Sequence, residues 1–245
     1  MYSAARAHRY STTTPLSLIA ASPAVVWTDG VCEQGDGSMA AALDGAPIAR
    51  GLVLPIGSHT YSVGFSNCLV DGLDGIRLTG TTTLRYSTAD WLHVSVNVAT
   101  ASMRATGRVG LFDSLQDVTA TGSGTWTVAA TSRSYADTYL PGAGATLVNN
   151  RTTNVITFKG GSLLHVRTGD PNAPESIQNG FANLAIDLNG VEYVLDGTQQ
   201  TAVVNRVVTA SGEIRITSAG VLVGRIFQES GGPLRAIALA PIVTF

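Results

Sequence analysis

Residues 184–195 read Leu184-Ala185-Ile186-Asp187-Leu188-Asn189-Gly190-Val191-Glu192-Tyr193-Val194-Leu195, two alternating runs joined by the dipeptide Asn189-Gly190. Alternation of apolar and polar side chains is typical of a β-strand with one buried face. Asn and Gly both accept the positive φ angles that a tight two-residue hairpin turn requires. The stretch therefore predicts a β-hairpin, and the same pattern along the rest of the chain predicts the fold.

The alternation recurs at residues 92–98, where Leu and Val occupy every second position and His93, Ser95 and Asn97 lie between them. Further strands are predicted at residues 76–86, 118–128, 154–158, 163–167, 182–188, 191–195, 203–208, 213–217, 221–227 and 234–239. Only residues 38–43 suggest a short helical turn. The sequence predicts an all-β protein whose strands form a large antiparallel sheet, a β-sandwich or a half-open barrel.

Two internal matches suggest two similar β units. Residues 74–81 resemble residues 189–198, and residues 118–122 resemble residues 208–212. The two offsets differ, so a duplication requires an insertion in the first half of the chain. The proline- and glycine-bearing stretch near 140–150 is the predicted boundary between the units.

Residues 1–27 are expected to lie outside the core. Basic residues precede an apolar stretch at residues 15–26, which Pro15 and Pro23 interrupt. A secretory signal has a basic region, an apolar core and a small-residue cleavage site in that order. An N-terminal arm and a degenerate signal segment both fit this pattern, and residues 28–245 then form the all-β domain.

Charge and hydropathy restrict the partners. The chain has 15 Lys and Arg against 17 Asp and Glu, a formal net charge of −2. It therefore has no basic field to hold nucleic acid. No apolar run is long enough to predict a transmembrane helix, although association with a membrane stays open. A mean hydropathy of +0.21 indicates more buried apolar surface than a minimal domain needs, and a well-packed core is its default explanation. If the chain has a binding function, the expected partner is an apolar small molecule or another envelope protein.

Two cysteines, Cys32 and Cys68, allow a single disulfide or two buried thiols. Two thiols do not make a structural zinc site without other ligands. We expect the disulfide, which places the chain in an oxidising compartment.

No sequence motif for a nucleophile, a phosphate loop or a metal centre is present, and we expect no cofactor. The histidines His59, His93 and His165 fit roles as hydrogen-bonded strand or loop residues. Asp71 and Asp74 flank a turn that calcium would suit, but such Asp-Gly pairs more often form plain turns.

Two segments resemble known families. Residues 61–68, ending in Phe65-Ser66-Asn67-Cys68, and the following Leu78-Thr79-Gly80 resemble a motif in exported β-rich proteins of Gram-negative bacteria. That resemblance implies export and a disulfide, without an activity. The alternation of Ile237, Leu239, Val243 and Phe245 resembles the closing strand of bacterial outer-membrane barrels, although Pro241 interrupts it.

These observations predict a non-enzymatic exported protein of the periplasm, the outer-membrane surface or the extracellular space. Its expected role is structural, or binding of an apolar ligand or another envelope protein. One alternative is an integral outer-membrane β-barrel. A second is an envelope hydrolase with His93 or His165 as general base.

Overall fold

The computed structural model describes residues 32, 36–48, 52–71, 76–90, 93–111, 114–131, 133–170, 173–204, 207–228 and 234–239. The predicted N-terminal arm, residues 1–27, lies outside these ranges. Within them the chain forms no helix that could span a membrane. The strands are β1 (Ser38–Leu43), β2 (Ala46–Pro47), β3 (Gly57–Asp71), β4 (Ile76–Thr88), β5 (Val94–Leu111), β6 (Ser114–Ala130), β7 (Ser134–Pro141), β8 (Thr146–Asn149), β9 (Val155–Asp170), β10 (Ala173–Leu188), β11 (Val191–Val204), β12 (Val207–Ser218), β13 (Val221–Gln228) and β14 (Leu234–Ala238).

All fourteen strands belong to one antiparallel sheet, which confirms the predicted all-β class. The order is β14-β13-β12-β11-β10-β9-β7-β6-β5-β4-β3-β1-β2, and the short β8 pairs with both β6 and β9. Nearly every strand therefore pairs with its neighbour in sequence, as hairpin connections favour. Residues 140–150, the predicted boundary between two units, hold the end of β7 and all of β8 within this continuous sheet.

One face of the sheet forms the core. On β3, Tyr61 and Val63 are each 1% exposed, and they alternate with half-exposed Ser62 and Gly64. The core cluster draws on the strands from β3 to β13, and its largest fully buried members are Tyr61, Tyr139, Leu78, Leu84, Leu147, Leu163, Ile186 and Leu195. Such burial requires the sheet to curve, because residues of a single sheet escape water only when its inner face covers itself.

The hairpin predicted at residues 184–195 is confirmed. Leu188 pairs with Val191 and Leu184 with Leu195. Asn189 has a φ of 53° and Gly190 a φ of 86°, so both turn residues adopt the positive φ angles that this turn requires.

Two predictions of local structure are wrong. Residues 38–43 form strand β1 rather than a helical turn, because Ser38 to Leu43 pair in register with β3. Residues 203–208 are not one strand: β11 ends at Val204, β12 begins at Val207, and these two valines pair across a hairpin. The valines at 203–204 and 207–208 therefore belong to the ends of two strands, and valine favours a strand equally in both places.

A β-bulge interrupts the pairing of β3 with β4. Phe65 pairs with Gly80 and Cys68 with Leu78, so Ser66 and Asn67 together oppose a single residue of β4. Asn67 has a φ of 48°, and its backbone N–H donates to Thr79 Oγ1 over 3.1 Å. The motif quoted above, Phe-x-Asn-Cys followed by Leu-x-Gly, therefore encodes a bulge and the partner residues opposite it.

The same bulge occurs between β10 and β11. Phe181 pairs with Gly197 and Leu184 with Leu195, and the register shifts between them. Asn183 has a φ of 46°, and its N–H donates to Asp196 Oδ1 over 3.0 Å. The sequence match between residues 74–81 and 189–198 thus includes equivalent residues of two bulges. The other matched pair, residues 118–122 and 208–212, does not occupy equivalent strands: β6 is two strands away from β4, whereas β12 is next to β11.

A glycine backs each bulge. A Cβ built on Gly37 would lie 2.3 Å from Asn67 O, and one built on Gly161 would lie 2.1 Å from Asn183 O. Both glycines have positive φ angles, of 92° and 84°. The neighbouring strand can approach the bulge this closely only where the side chain is absent.

Gly161→Ala should therefore lower the free energy of unfolding by about 2–3 kcal/mol, since it adds a backbone clash to the cost of a positive φ. Gly144→Ala is the matched control, because Gly144 has the same φ of 84° and no atom within 4 Å of its Cβ position. The control should lose only about 1–2 kcal/mol. Urea unfolding measures both; equal losses would contradict the role of the close approach.

Candidate functional site

Cys32 and Cys68 form a disulfide bond, as predicted, with Cα atoms 5.2 Å apart. Both cysteines are buried, and Cys68 lies at the β3 bulge. Leu69 N donates to Asp36 O over 3.0 Å, which aligns the segment after Cys32 with the bulged strand. The disulfide therefore fastens Cys32, which precedes β1, to the last third of the long strand β3.

An ion pair reinforces this attachment. Arg77 Nη2 contacts Asp36 Oδ2, and Arg77 Nη1 donates to Asn67 O over 3.3 Å. The hydrogen bond from Arg77 lowers the pKa of Asp36. The guanidinium thus links the carboxylate to a carbonyl of the bulge itself.

A second attachment joins the β1–β2 turn to the start of β3. His59 Nδ1 donates to Asp44 Oδ2 over 2.7 Å, and Nε2 donates to Ile56 O over 3.1 Å. Thr60 N donates to Asp44 Oδ1 over 2.8 Å. Because both ring nitrogens face acceptors, the cationic imidazolium fits this position, and the hydrogen bond to Asp44 raises the pKa of His59.

Tyr86 lies beside this pair on β4. Its ring centroid is 5.5 Å from that of His59, and its hydroxyl donates to Pro55 O over 3.0 Å. Burial, followed by the charge of Asp44, raises the pKa of Tyr86 to about 12. The phenol therefore remains a neutral donor that holds the segment before β3.

An open groove of about 350 Å³ lies over strands β3 to β6. His59, Tyr86 and Val96 contribute only backbone to it, because their side chains alternate onto the inner face with Tyr61, Leu84 and Val94. The side chains that line it are Ser58, Thr60, Arg85, Ser87, Ser95, Asn97 and Thr127.

Cross-strand register brings these side chains into two rows. Ser58, Ser87 and Ser95 form one row, and Thr60, Arg85, Asn97 and Thr127 form the next. Ser58 Oγ donates to Ser87 Oγ over 3.0 Å, and Asn97 Nδ2 lies 3.5 Å from Thr127 Oγ1. The groove therefore offers hydroxyl, amide and guanidinium groups.

A row of polar side chains also crosses the inner face of β7, β9, β10 and β11. Asp137 pairs with His165, His165 with Asn179, and Asn179 with Gln199. His165 Nδ1 donates to Asn179 Oδ1 over 2.7 Å, and Asp137 is only 3% exposed. The bond to Asn179 leaves Nε2 of His165 as the nitrogen able to act as an acceptor.

The other predicted candidates lie apart from these groups. His93 is exposed, and its Nδ1 is 2.9 Å from Asp90 Oδ2 in the same turn. Asp71 pairs with Ile76 at the end of the β3–β4 hairpin, whereas Asp74 lies outside the described residues. Across the described ranges, no three His, Cys, Asp or Glu side chains group as a metal ion would need. Pro241, Val243 and Phe245 also lie outside the described residues.

Sequence reasoning missed both the groove and the second bulge. The recurrence of Phe-x-Asn at residues 65–67 and 181–183 was a usable signal for the bulge. For the groove, the signal was polar residues at every second position of residues 58–62, 83–87 and 95–97. Neither pattern shows which residues of the other strands lie beside it, because that depends on the register between strands.

Comparisons of the chain with models of protein families, with curated proteins and with solved structures return no match. The contacts and surfaces above therefore carry the functional argument by themselves.

The pair of His59 and Asp44 should make stability depend on pH. The pKa of His59 is raised above 6.5, so its contribution is complete below that pH and is lost as pH rises through the raised pKa. The pKa of Asp44 is lowered below 3.8, first by the bond from Thr60 N, so its contribution is lost only in strong acid.

Urea unfolding of the wild type and His59→Gln between about pH 5 and pH 9 tests this pair. The advantage of the wild type should be largest at the acid end and should shrink as pH rises. An Asp44→Asn variant should remove most of that pH dependence. A difference between wild type and His59→Gln that stays constant with pH would contradict it.

Reduction of the disulfide should lower the free energy of unfolding by about 3–4 kcal/mol, since the unfolded chain regains the freedom of a 36-residue loop. Denatured protein should show no free thiol before reduction and two after it. Unfolding of one sample with and without reductant measures the difference without a change of sequence. Equal stability in the two states would contradict the role of the disulfide.

Proposed function

We propose that this chain is a non-enzymatic, exported protein of the cell envelope. Its own edge strand, β14, binds another envelope protein by pairing with a strand of that partner. The disulfide supports export, because such bonds persist in oxidising compartments. The edge strand supports the mode of binding, since an exposed edge can accept a strand from a partner.

The geometry of β14 is the observation that carries the proposal. In the described part of the chain β14 pairs only with β13. Leu239 N donates to Val223 O over 2.8 Å. Because hydrogen-bonded positions alternate along an antiparallel ladder, the backbone N–H and C=O of Ile237 also point toward β13. The backbone N–H and C=O groups of Ala236 and Ala238 then face the free edge.

Side chains on β14 leave room for a partner. Ile237 and Leu239 are 38% and 52% exposed, and they lie on the outer face beside Arg225. Ala236 and Ala238, in register with the inner-face residues of β13, are also exposed. A strand added here would cover apolar surface on both faces of the sheet.

The opposite end of the strand order is less suited to this role. There β2 has two residues, and Pro47 has no N–H to donate. β14 has five residues and no proline, with Arg235 as its one charged side chain. Proteins protect sheet edges with short strands, proline and charge, and β14 has the least of this protection.

An apolar small molecule is supported less than a protein partner. The groove over β3 to β6 is lined by hydroxyl, amide and guanidinium side chains, whereas apolar ligands favour pockets lined by apolar and aromatic groups. The exposed apolar groups on β14 form part of an open sheet edge, which suits another chain.

A photo-crosslinking amino acid at Ile237 should capture one discrete partner in the native host envelope. Val191 is the matched control, because it is 37% exposed against 38% for Ile237 but lies at the β10–β11 hairpin. The same analysis distinguishes a second copy of this chain from a different protein, by the mass of the adduct. Equal crosslinking at both positions, or none at Ile237, would contradict the proposal.

The Ala236→Pro variant provides an independent test of strand addition at β14. It removes an N–H that faces the free edge and leaves the ladder to β13 intact, so the fold should persist while the crosslink at Ile237 is lost. Circular dichroism and thermal unfolding verify the fold of the variant. Undiminished crosslinking in a folded Ala236→Pro protein would exclude strand addition.

A further inference from the structure

We propose that the groove over β3 to β6 is a second binding site, separate from the β14 edge, and that it takes a sugar carrying one anionic group, such as a uronic acid or a sugar phosphate. The groove lies on the outer face of the sheet and is open to solvent. Its volume of about 350 Å³ is at the small end of the range for ligand sites, about 300–1,000 Å³.

Charge is the first argument for an anionic ligand. Among the described residues that line the groove, Arg85 carries the one charged side chain there, and none is a carboxylate. Within the described ranges no hydrogen bond or ion pair engages its guanidinium. A planar guanidinium presents paired N–H donors that match a carboxylate or a phosphate.

The neighbouring carboxylate does not compete for this guanidinium. Asp44 accepts bonds from His59 Nδ1 and from Thr60 N, so both of its oxygens are occupied. The hydrogen bond from Thr60 and that from His59 lower the pKa of Asp44. These bonds hold Asp44 against His59 and the start of β3, and within the described residues no hydrogen bond or ion pair joins it to Arg85.

Hydroxyl groups are the second argument. Arg85 lies in one row between Thr60 and Asn97, and next to Ser87 along its own strand. A hydroxyl both donates and accepts, and an amide side chain offers one acceptor and two donors. Such a set suits the several hydroxyl groups that a sugar ring spreads around its edge, which a small inorganic anion is too compact to match.

The floor of the groove explains why the ligand would be recognised by polar groups rather than by stacking. Tyr86 directs its ring to the inner face, so its backbone forms the floor. The sugar would therefore lie on the backbone of the sheet, held by side chains that rise around it. Specificity would come from hydrogen bonds and from the single charge.

Titration of the full isotope-labelled chain by NMR tests the proposal, with glucuronate, glucose 6-phosphate, glucose and inorganic phosphate as probes. Glucuronate or glucose 6-phosphate should shift the backbone signals of Ser87 and Asn97, with glucose and phosphate each binding at least tenfold more weakly. Equal binding of phosphate and glucose 6-phosphate would indicate a plain anion site and would overturn the proposal. No saturable shift with either anionic sugar would also overturn it.

Two variants separate charge from hydroxyl recognition. Arg85→Ala should weaken binding of the anionic sugar by about ten- to hundredfold, and Thr127→Val, which keeps its shape, by about two- to tenfold. Arg215→Ala is the control, because Arg215 is an exposed arginine of β12 outside the groove. Equal loss in Arg85→Ala and Arg215→Ala would mean that binding depends only on overall charge, and would overturn the site.

The test does not depend on the β14 edge. Ala236→Pro should bind the anionic sugar as the wild type does, and Arg85→Ala should retain the crosslink at Ile237. Loss of both activities in either folded variant would contradict the claim that the two sites are separate.

Discussion

A single β-sheet can remove one face from water only by curving until that face covers itself. Tyr61, Leu84 and Leu195 are at most 1% exposed, although they stand on separate strands of one sheet. Flat sheets do not achieve this, whereas a bulge bends its strand and increases its twist. The register shifts of this sheet include the bulges at Asn67 and Asn183, and at each the asparagine N–H donates to a side chain of the opposing strand, so both bend their part of the sheet in the same way.

The two bulges differ in how they are supported, and their positions explain why. The second lies between long strands, with β9 on one side of β10 and β11 on the other. The first lies near an end of the strand order, where β1 has six residues and β2 has two. Short strands contribute few ladder bonds, so the disulfide, the Asp36–Arg77 pair and the His59–Asp44 pair supply the missing attachment. All three join the chain around β1 to β3 or β4.

Local sequence was sufficient for the all-β class, the Asn189-Gly190 hairpin and the cysteine pair, since each depends on neighbouring residues or on a composition of only two cysteines. Local sequence was not sufficient where the role of a residue depends on a partner strand. Separate strands are predicted at residues 154–158 and 163–167, yet β9 runs unbroken through Gly160 and Gly161 as Val155–Asp170. Gly161 is there because β10 approaches it, and nothing in its own neighbourhood indicates that. The groove is equally invisible, because Ser58, Arg85 and Asn97 become neighbours only through register.

The two faces of the sheet obey different rules, and this difference favours the outer face as the place where function resides. Inner residues are fixed by packing, since a change of even one methylene in a core is felt. An outer position on β4 requires only a side chain that tolerates water, and Thr81 and Thr83 satisfy that requirement on the same strand. Arg85 differs from them: it is a long cation amid hydroxyl groups, and none of the described residues that line its groove is a carboxylate. Arg85 is therefore the outer-face residue on which the proposed sugar site rests.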